Sequence, residues 1–196
     1  HHDVWDYDSG APPTLFDMQV NGRRVKAVAE ASKNGYLYIL DRETGKPLYD
    51  VEERAVPASL IPGEQAWPTQ PFPSKPPPLA RSSFDMSELV SVTAEANAAC
   101  KTIVDAVGAR GAATYAPRTV EYPTINFPGV AGGVEWGSGA YDPKNGYYVI
   151  NTNDLAVVID DVSELDGLGA GEVSAAAEAA KREAALNAAR MDEKPE

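Results

Sequence analysis

Cysteine is almost missing. Cys100 is the only one in 196 residues, which excludes an intrachain disulfide, and no Cys/His grouping has the spacing of a zinc site. Positive charge is also short, with 17 basic against 29 acidic residues and a net charge of −12. A phosphate backbone or an anionic membrane surface would repel such a chain, so nucleic acid is excluded as a partner and small neutral substrates are left open. No apolar run reaches the ~18 residues of a membrane helix; the longest candidate, Leu155 to Ile159, ends in Asp160 and Asp161. No secretion signal is visible. An initiating Met is lacking too, and the chain reads as a fragment that opens inside a motif. What it does have is enough length for a core of its own, removing roughly 70% of the unfolded surface from water.

Four short strand candidates lie between Pro13 and Asp50: Thr14 to Val20, Arg24 to Ala31, Tyr36 to Asp41 and Lys46 to Asp50. Turn signals at Asn21-Gly22, Asn34-Gly35 and Thr44-Gly45 separate them, so the pattern predicts one antiparallel four-stranded sheet. Asn-Gly suits type I′ hairpins, whose two central residues need positive φ. Tyr36 to Leu40 is aromatic and aliphatic throughout, which predicts a strand covered on both faces. A four-stranded unit of about 40 residues has the size of a propeller blade and needs neighbours to bury its faces.

Glu52 to Arg81 is proline-rich and is predicted to hold neither helix nor central strand. It reads as a long ordered excursion or a linker, with a polyproline ligand as the alternative. Met86 to Val107 predicts a helical insertion, with Thr93 as N-cap of its second segment. Ala112 to Tyr122 returns to β-type residues. Gly132 to Asp142 and Tyr147 to Asn153, joined through Pro143-Lys-Asn-Gly146, predict another hairpin. Residues 163–196 are rich in Ala, Glu and Lys and predict a solvated or partner-seeking helix from about Ser174 to Met191, supported by Glu178 and Arg182 at i, i+4.

The opening residues, His1-His2-Asp3-Val4-Trp5-Asp6-Tyr7-Asp8, are followed 27 positions after Asp6 by Lys33 in Ser-Lys-Asn-Gly. Oxidising an alcohol requires a base for the hydroxyl proton as hydride leaves the carbon, and a fixed cation stabilises the negative charge that develops on the acceptor. Asp6 and Lys33 are the candidates. These motifs resemble the quinoprotein dehydrogenases, the pyrroloquinoline-quinone enzymes, and are most similar to the membrane glucose and quinate dehydrogenase branch. Asp41-Arg-Glu-Thr-Gly-Lys-Pro-Leu-Tyr49 is similar to the family's blade-docking motif, with Tyr49 in place of Trp. Pro68-Thr-Gln-Pro-Phe72 is similar to its loop near the substrate pocket.

The resemblance covers residues 1 to 153. It implies an all-β fold, a partial eight-bladed quinoprotein β-propeller over 1–162 with a Pro-rich loop (52–81) and a helical insertion (86–107), followed by a helical tail (163–196). It implies bound pyrroloquinoline quinone and Ca²⁺, with Asp6 as base and as this chain's contact to the metal, and with Lys33 on the quinone oxygens. Glu135 and Trp136 sit in a segment resembling one that approaches the quinone ring, with Gly132, Gly133, Gly137 and Gly139 permitting close approach; an exposed strand residue and a core ring are the plainer alternative. Implied partners are an alcohol or sugar substrate, a respiratory quinone as acceptor, and the remaining propeller blades. The branch works in the periplasm, with its membrane anchor outside this chain.

Other readings stay open. Asp3, Asp6 and Asp8 before Gly10 could form a separate calcium loop, although the full twelve-residue pattern is missing. His1 and His2 are either a tag remnant or part of the motif, lining the pocket. Arg23, Arg24 and Lys26 read as solvated surface. A non-catalytic β-propeller scaffold or an inactive fragment are the rivals to the enzyme.

Overall fold

The structure is a computed structural model that describes residues 1–89 and 93–159. The helical tail expected after residue 163 lies outside them. Strands β1 (Thr14–Val20), β2 (Arg23–Ala31) and β3 (Leu37–Asp41) form an antiparallel sheet in that order. The β1–β2 turn is type I′ as expected, with Asn21 at φ 50° and Gly22 at φ 77°.

The β2–β3 turn is not. Gly35 N–H donates to Ser32 O and Ser32 N–H to Tyr36 O, and positive φ falls on Gly35 (83°) but not on Asn34. This is a type I turn closed by a left-handed glycine, one residue longer than a type I′ loop. The extra residue puts Lys33 at the tip of the turn, beyond the end of the sheet.

The expected fourth strand shrinks to a stub. Leu40 bridges Pro47 and Leu48 N–H donates to Ile39 O, but Pro47 has no donor and the chain turns away. It enters β4 (Val51–Ala55), which pairs with β5 (Thr69–Pro73) in a separate two-stranded sheet. The Pro-rich segment therefore contains a two-stranded ladder that the sequence does not announce, with neither helix nor central strand in it. Its outer bonds, Val56 N–H to Pro68 O and Ser74 N–H to Asp50 O, fall on even-numbered pairs. Pro71 and Pro73, opposite Glu53 and Val51, occupy the alternate positions, whose nitrogens face away from β4 and need no partner.

The insertion is also divided differently. A 3₁₀ turn covers Met86–Glu88, and helix α1 spans Ala94–Val107. Thr93 caps α1 as expected, its hydroxyl accepting from Ala96 N–H, and Gly108 ends it in the left-handed conformation. After β6 (Arg110–Gly111) the predicted β-type run from Ala112 does not extend into a strand. Tyr115 takes φ 61° and buries its ring, which breaks the extended path. Strands β7 (Thr124–Asn126) and β10 (Val157–Ile159) join β6 in a sheet ordered β10-β7-β6, while β8 (Gly139–Asp142) and β9 (Tyr147–Ile150) make the predicted second hairpin, shorter than expected.

Two clusters flank β3. Leu37 and Ile39 join Phe16, Ala27, Ala29, Ala31 and Val134 on one face, and Tyr36 and Tyr38 join Trp5, Tyr7 and Tyr115 on the other. Both faces are covered, as its composition predicted. The alanines of β2 let the β8–β9 hairpin pack closely, with Phe16 stacked on Tyr141 at 4.4 Å and the Tyr148 hydroxyl donating to Thr14 Oγ1. The Asp41 and Asp142 turns use the same chemistry: each carboxylate accepts two following backbone N–H groups, and a left-handed glycine donates back to the aspartate carbonyl.

Candidate functional site

The opening loop is folded by its own side chains. Asp3 Oδ1 accepts from Trp5 N–H at 2.8 Å and Asp3 Oδ2 from Tyr7 N–H at 2.6 Å. Asp6, between those two amides, has φ 65°, a conformation that costs a non-glycine residue about 1–2 kcal/mol, although Asp tolerates it better than most. Trp5 and Tyr7 turn inward, edge-on to Tyr115 at 5.0 and 5.5 Å. Trp5 Nε1–H donates to Ala116 O and the Tyr7 hydroxyl to Pro128 O. With residue 6 in the left-handed conformation, the Asp6 carboxylate faces the open side, where it and Asp8 meet Lys33.

The β2–β3 turn is tied to this loop. Ser32 Oγ donates to Tyr7 O, and Lys33 N–H donates to Asp8 O. Lys33 Nζ lies 3.0 Å from Asp6 Oδ2 and 2.7 Å from Asp8 Oδ1. The lysine side chain is only 13% exposed, whereas Asp6 and Asp8 are 58% and 49% exposed. The hydrogen bond with Lys33 holds the Asp8 carboxyl below its ordinary range, and Asp8, with Asp6, raises the Lys33 ammonium against the opposing effect of burial. Burial, with a contribution from the Asp3 charge, pushes the Tyr7 phenol up.

The glycine-rich segment reaches the same place. Gly133 N–H donates to Lys33 O, and a Cβ on Gly132 would lie 2.6 Å from Lys33 Cγ and 2.9 Å from its Cα. Gly132 and Gly133 thus approach the lysine. Trp136 is 69% exposed and its indole rests against Gly10, which also faces Asp8 Oδ2. It is not a core ring. Glu135 is exposed.

Both Asp3 oxygens are taken by backbone amides, so Asp3, Asp6 and Asp8 do not gather as a calcium loop of their own. Among the described residues no group of three or more His, Cys, Asp or Glu is placed to hold a metal ion. His1 packs beside Trp67 and meets Glu53 at 3.0 Å. It lines a cavity of about 170 Å³ with Asp3, Tyr7, Asn34, Gln70 and Tyr115, behind the loop that carries Asp6.

Four supporting residues were not identifiable as such from sequence. Asp3 and Asp8 read as candidate calcium ligands in the sequence, and Tyr115 lies in a run of β-type residues. Asn34 looked like an ordinary turn residue. It is 5% exposed, accepts from Tyr36 N–H and donates to the Tyr115 and Tyr38 hydroxyls. Asn34→Ala will strand these groups at about 1–3 kcal/mol for each left unpaired and buried. A clear drop in the thermal unfolding midpoint is expected, and an unchanged midpoint would count against this account of the turn.

Comparison with known proteins agrees with the motifs. A family model described as glucose/ethanol/alcohol dehydrogenase, beta-propeller domain, matches residues 1–194. The chain is 37% identical over 155 residues to the glycerol dehydrogenase large subunit of Gluconobacter thailandicus, covering 78% of this chain and 21% of that protein. It is 35% identical over 160 residues to the quinate/shikimate dehydrogenase (quinone) of Acinetobacter baylyi, covering 81% and 19%. To the quinoprotein glucose dehydrogenase of Escherichia coli it is 32% identical over 160 residues, again covering 81% and 19%. The chain spans about a fifth of the length of these curated relatives.

Proposed function

Because the chain belongs to the glucose/ethanol/alcohol dehydrogenase β-propeller family of pyrroloquinoline-quinone enzymes, we propose that it forms part of a dehydrogenase that oxidises a sugar, polyol or other alcohol. The observation that carries this reading is the convergence of the Asp6 carboxylate and the Lys33 ammonium at 3.0 Å. Asp6 takes the hydroxyl proton on a carboxylate oxygen as the substrate carbon is oxidised.

The residues fit the cofactor. Lys33 Nζ spends two of its three donors on Asp6 and Asp8, which leaves one for a carbonyl or carboxylate oxygen. The exposed Trp136 indole offers a flat apolar face to a planar ring system. Pyrroloquinoline quinone, when bound, supplies the acceptor for the two electrons and the hydrogen that leave the carbinol carbon. Lys33 would hold one of its oxygens by a charge-assisted hydrogen bond, and Trp136 would border the ring, with the exposed Glu135 next to it in the chain. Calcium would meet Asp6 as one ligand and draw the others from outside this chain.

Further blades, also outside this chain, would close the propeller. Electrons pass on to a respiratory quinone, and the enzyme works at the periplasmic side of a membrane, held there by a segment beyond these residues. The acceptor is supported by the quinone in the relative's name. Among the described residues no helix is long and apolar enough to cross a membrane.

Lys33→Met in the full-length enzyme tests the site. Loss of one hydrogen bond from a charged donor is worth about 1.5–3 kcal/mol, so cofactor affinity, followed by the absorbance of the bound quinone, will weaken by about tenfold to a hundredfold. In a non-catalytic scaffold, where Lys33 only ties the loop to the hairpin, the variant would lower stability without changing cofactor binding.

A further inference from the structure

We propose that Asp3 is a positioning residue for the base Asp6, acting through the two backbone amides on either side of it; this rests on the reading of Asp6 given above. The left-handed conformation at Asp6 is one that glycine adopts without penalty, yet this position carries a side chain. Something outside the residue must therefore hold the bend. Asp3 is placed to do so: one carboxylate oxygen takes the N–H of Trp5 and the other that of Tyr7. The bond to Trp5 is an Asx turn and the bond to Tyr7 spans four residues, so the carboxylate closes the loop on itself around residue 6.

The consequence concerns direction. With the amides of residues 5 and 7 gathered on Asp3, the Trp5 and Tyr7 side chains enter the aromatic cluster around Tyr115, and Asp6 is projected to the opposite side, where it meets Lys33. An extended backbone at residue 6 would redirect that carboxylate. Trp5 and Tyr7 are anchored by bonds of their own to Ala116 and Pro128, so losing Asp3 removes the local restraint on residue 6 while leaving the aromatic anchors in place.

The test uses the full-length enzyme with three variants. A misplacement of about 1 Å at a reacting group costs roughly 10²-fold in rate, so Asp3→Ala is expected to lower kcat by up to about that factor, with KM and cofactor affinity retained. Asp3→Asn keeps one carbonyl acceptor and should recover part of the loss. Independently of activity, backbone amide exchange at Trp5 and Tyr7, measured without cofactor, should accelerate in Asp3→Ala and less in Asp3→Asn.

Asp6→Asn separates the two failures. If Asp6→Asn is inactive while Asp3→Ala keeps full kcat, the positioning role is wrong and the base reading stands. If Asp6→Asn keeps full activity, the base reading falls and the positioning role with it. Equal losses of kcat, cofactor affinity and stability in Asp3→Ala, with no recovery in Asp3→Asn, would mark Asp3 as merely structural and overturn the proposal.

Discussion

Asp6→Asn in the full-length enzyme is expected to lower kcat by about 10²–10⁴-fold, the range that removal of a general base produces, in a dye-linked assay of alcohol or sugar oxidation. The substitution is close to isosteric, and Asn is among the residues that enter the left-handed region most readily, so the φ of 65° at this position is not put under new strain. The amide oxygen can still accept from Lys33, but it cannot take a proton from a substrate hydroxyl. Asp6 is 58% exposed, and its ion pair with Lys33 contributes about 0–1 kcal/mol as such surface pairs do. Lys33 also keeps its shorter contact with Asp8. Stability should therefore change little. Because Asp6 is also assigned to calcium, kcat is to be read at saturating cofactor and calcium, where a large loss would be chemical in origin. A variant that retains near wild-type kcat would remove Asp6 from the mechanism.

The legible parts of this chain were those with local causes. Strands β1 to β3 and the β8–β9 hairpin follow from short β-type runs closed by glycine turns, and the Thr93 cap from a hydroxyl before an apolar helical pattern. The β4–β5 ladder is not legible because proline density argues against a central strand and marks no edge pairing; residues 71 and 73 fall on the positions where the missing N–H is not needed. The Asn34-Gly35 turn was assigned the wrong type because Asn-Gly is common to both. What decides between them is the buried Asn34 side chain, bonded to a tyrosine 81 residues away.

Within the site, Asp6 and Lys33 were identified from a motif resemblance, and the structure brings them into contact. Their supports were hidden for a physical reason. Asp3 acts on backbone amides and Tyr115 acts through ring packing, and neither leaves a chemical signature in the sequence. Asp8 reads in the sequence as a candidate calcium ligand, because its partner Lys33 lies a hairpin away.

Gly132→Ala should damage both stability and the site. At φ 87° an L side chain costs about 1–2 kcal/mol, and the added methyl would sit 2.6 to 2.9 Å from the Cγ, Cβ and Cα of Lys33. Overpacking of this kind costs about 1–3 kcal/mol more. The lysine backbone offers little room to yield, since Lys33 O accepts from Gly133 and Lys33 N–H is bonded to Asp8 O. Relief must come from moving the 132–133 segment or the lysine stem, and either displaces the ammonium from Asp6 and Asp8. Gly45→Ala is the matched control: it has φ 71° but nothing within 4 Å of an added Cβ, so it carries the conformational penalty alone. Thermal unfolding of the full-length enzyme should show both variants destabilised, Gly132→Ala more than Gly45→Ala. Cofactor affinity should fall about tenfold or more only in Gly132→Ala, corresponding to loss of about 1.4 kcal/mol or more of the Lys33 interaction. If the two variants unfold alike and bind the cofactor alike, the close contact between Gly132 and Lys33 does not position the ammonium.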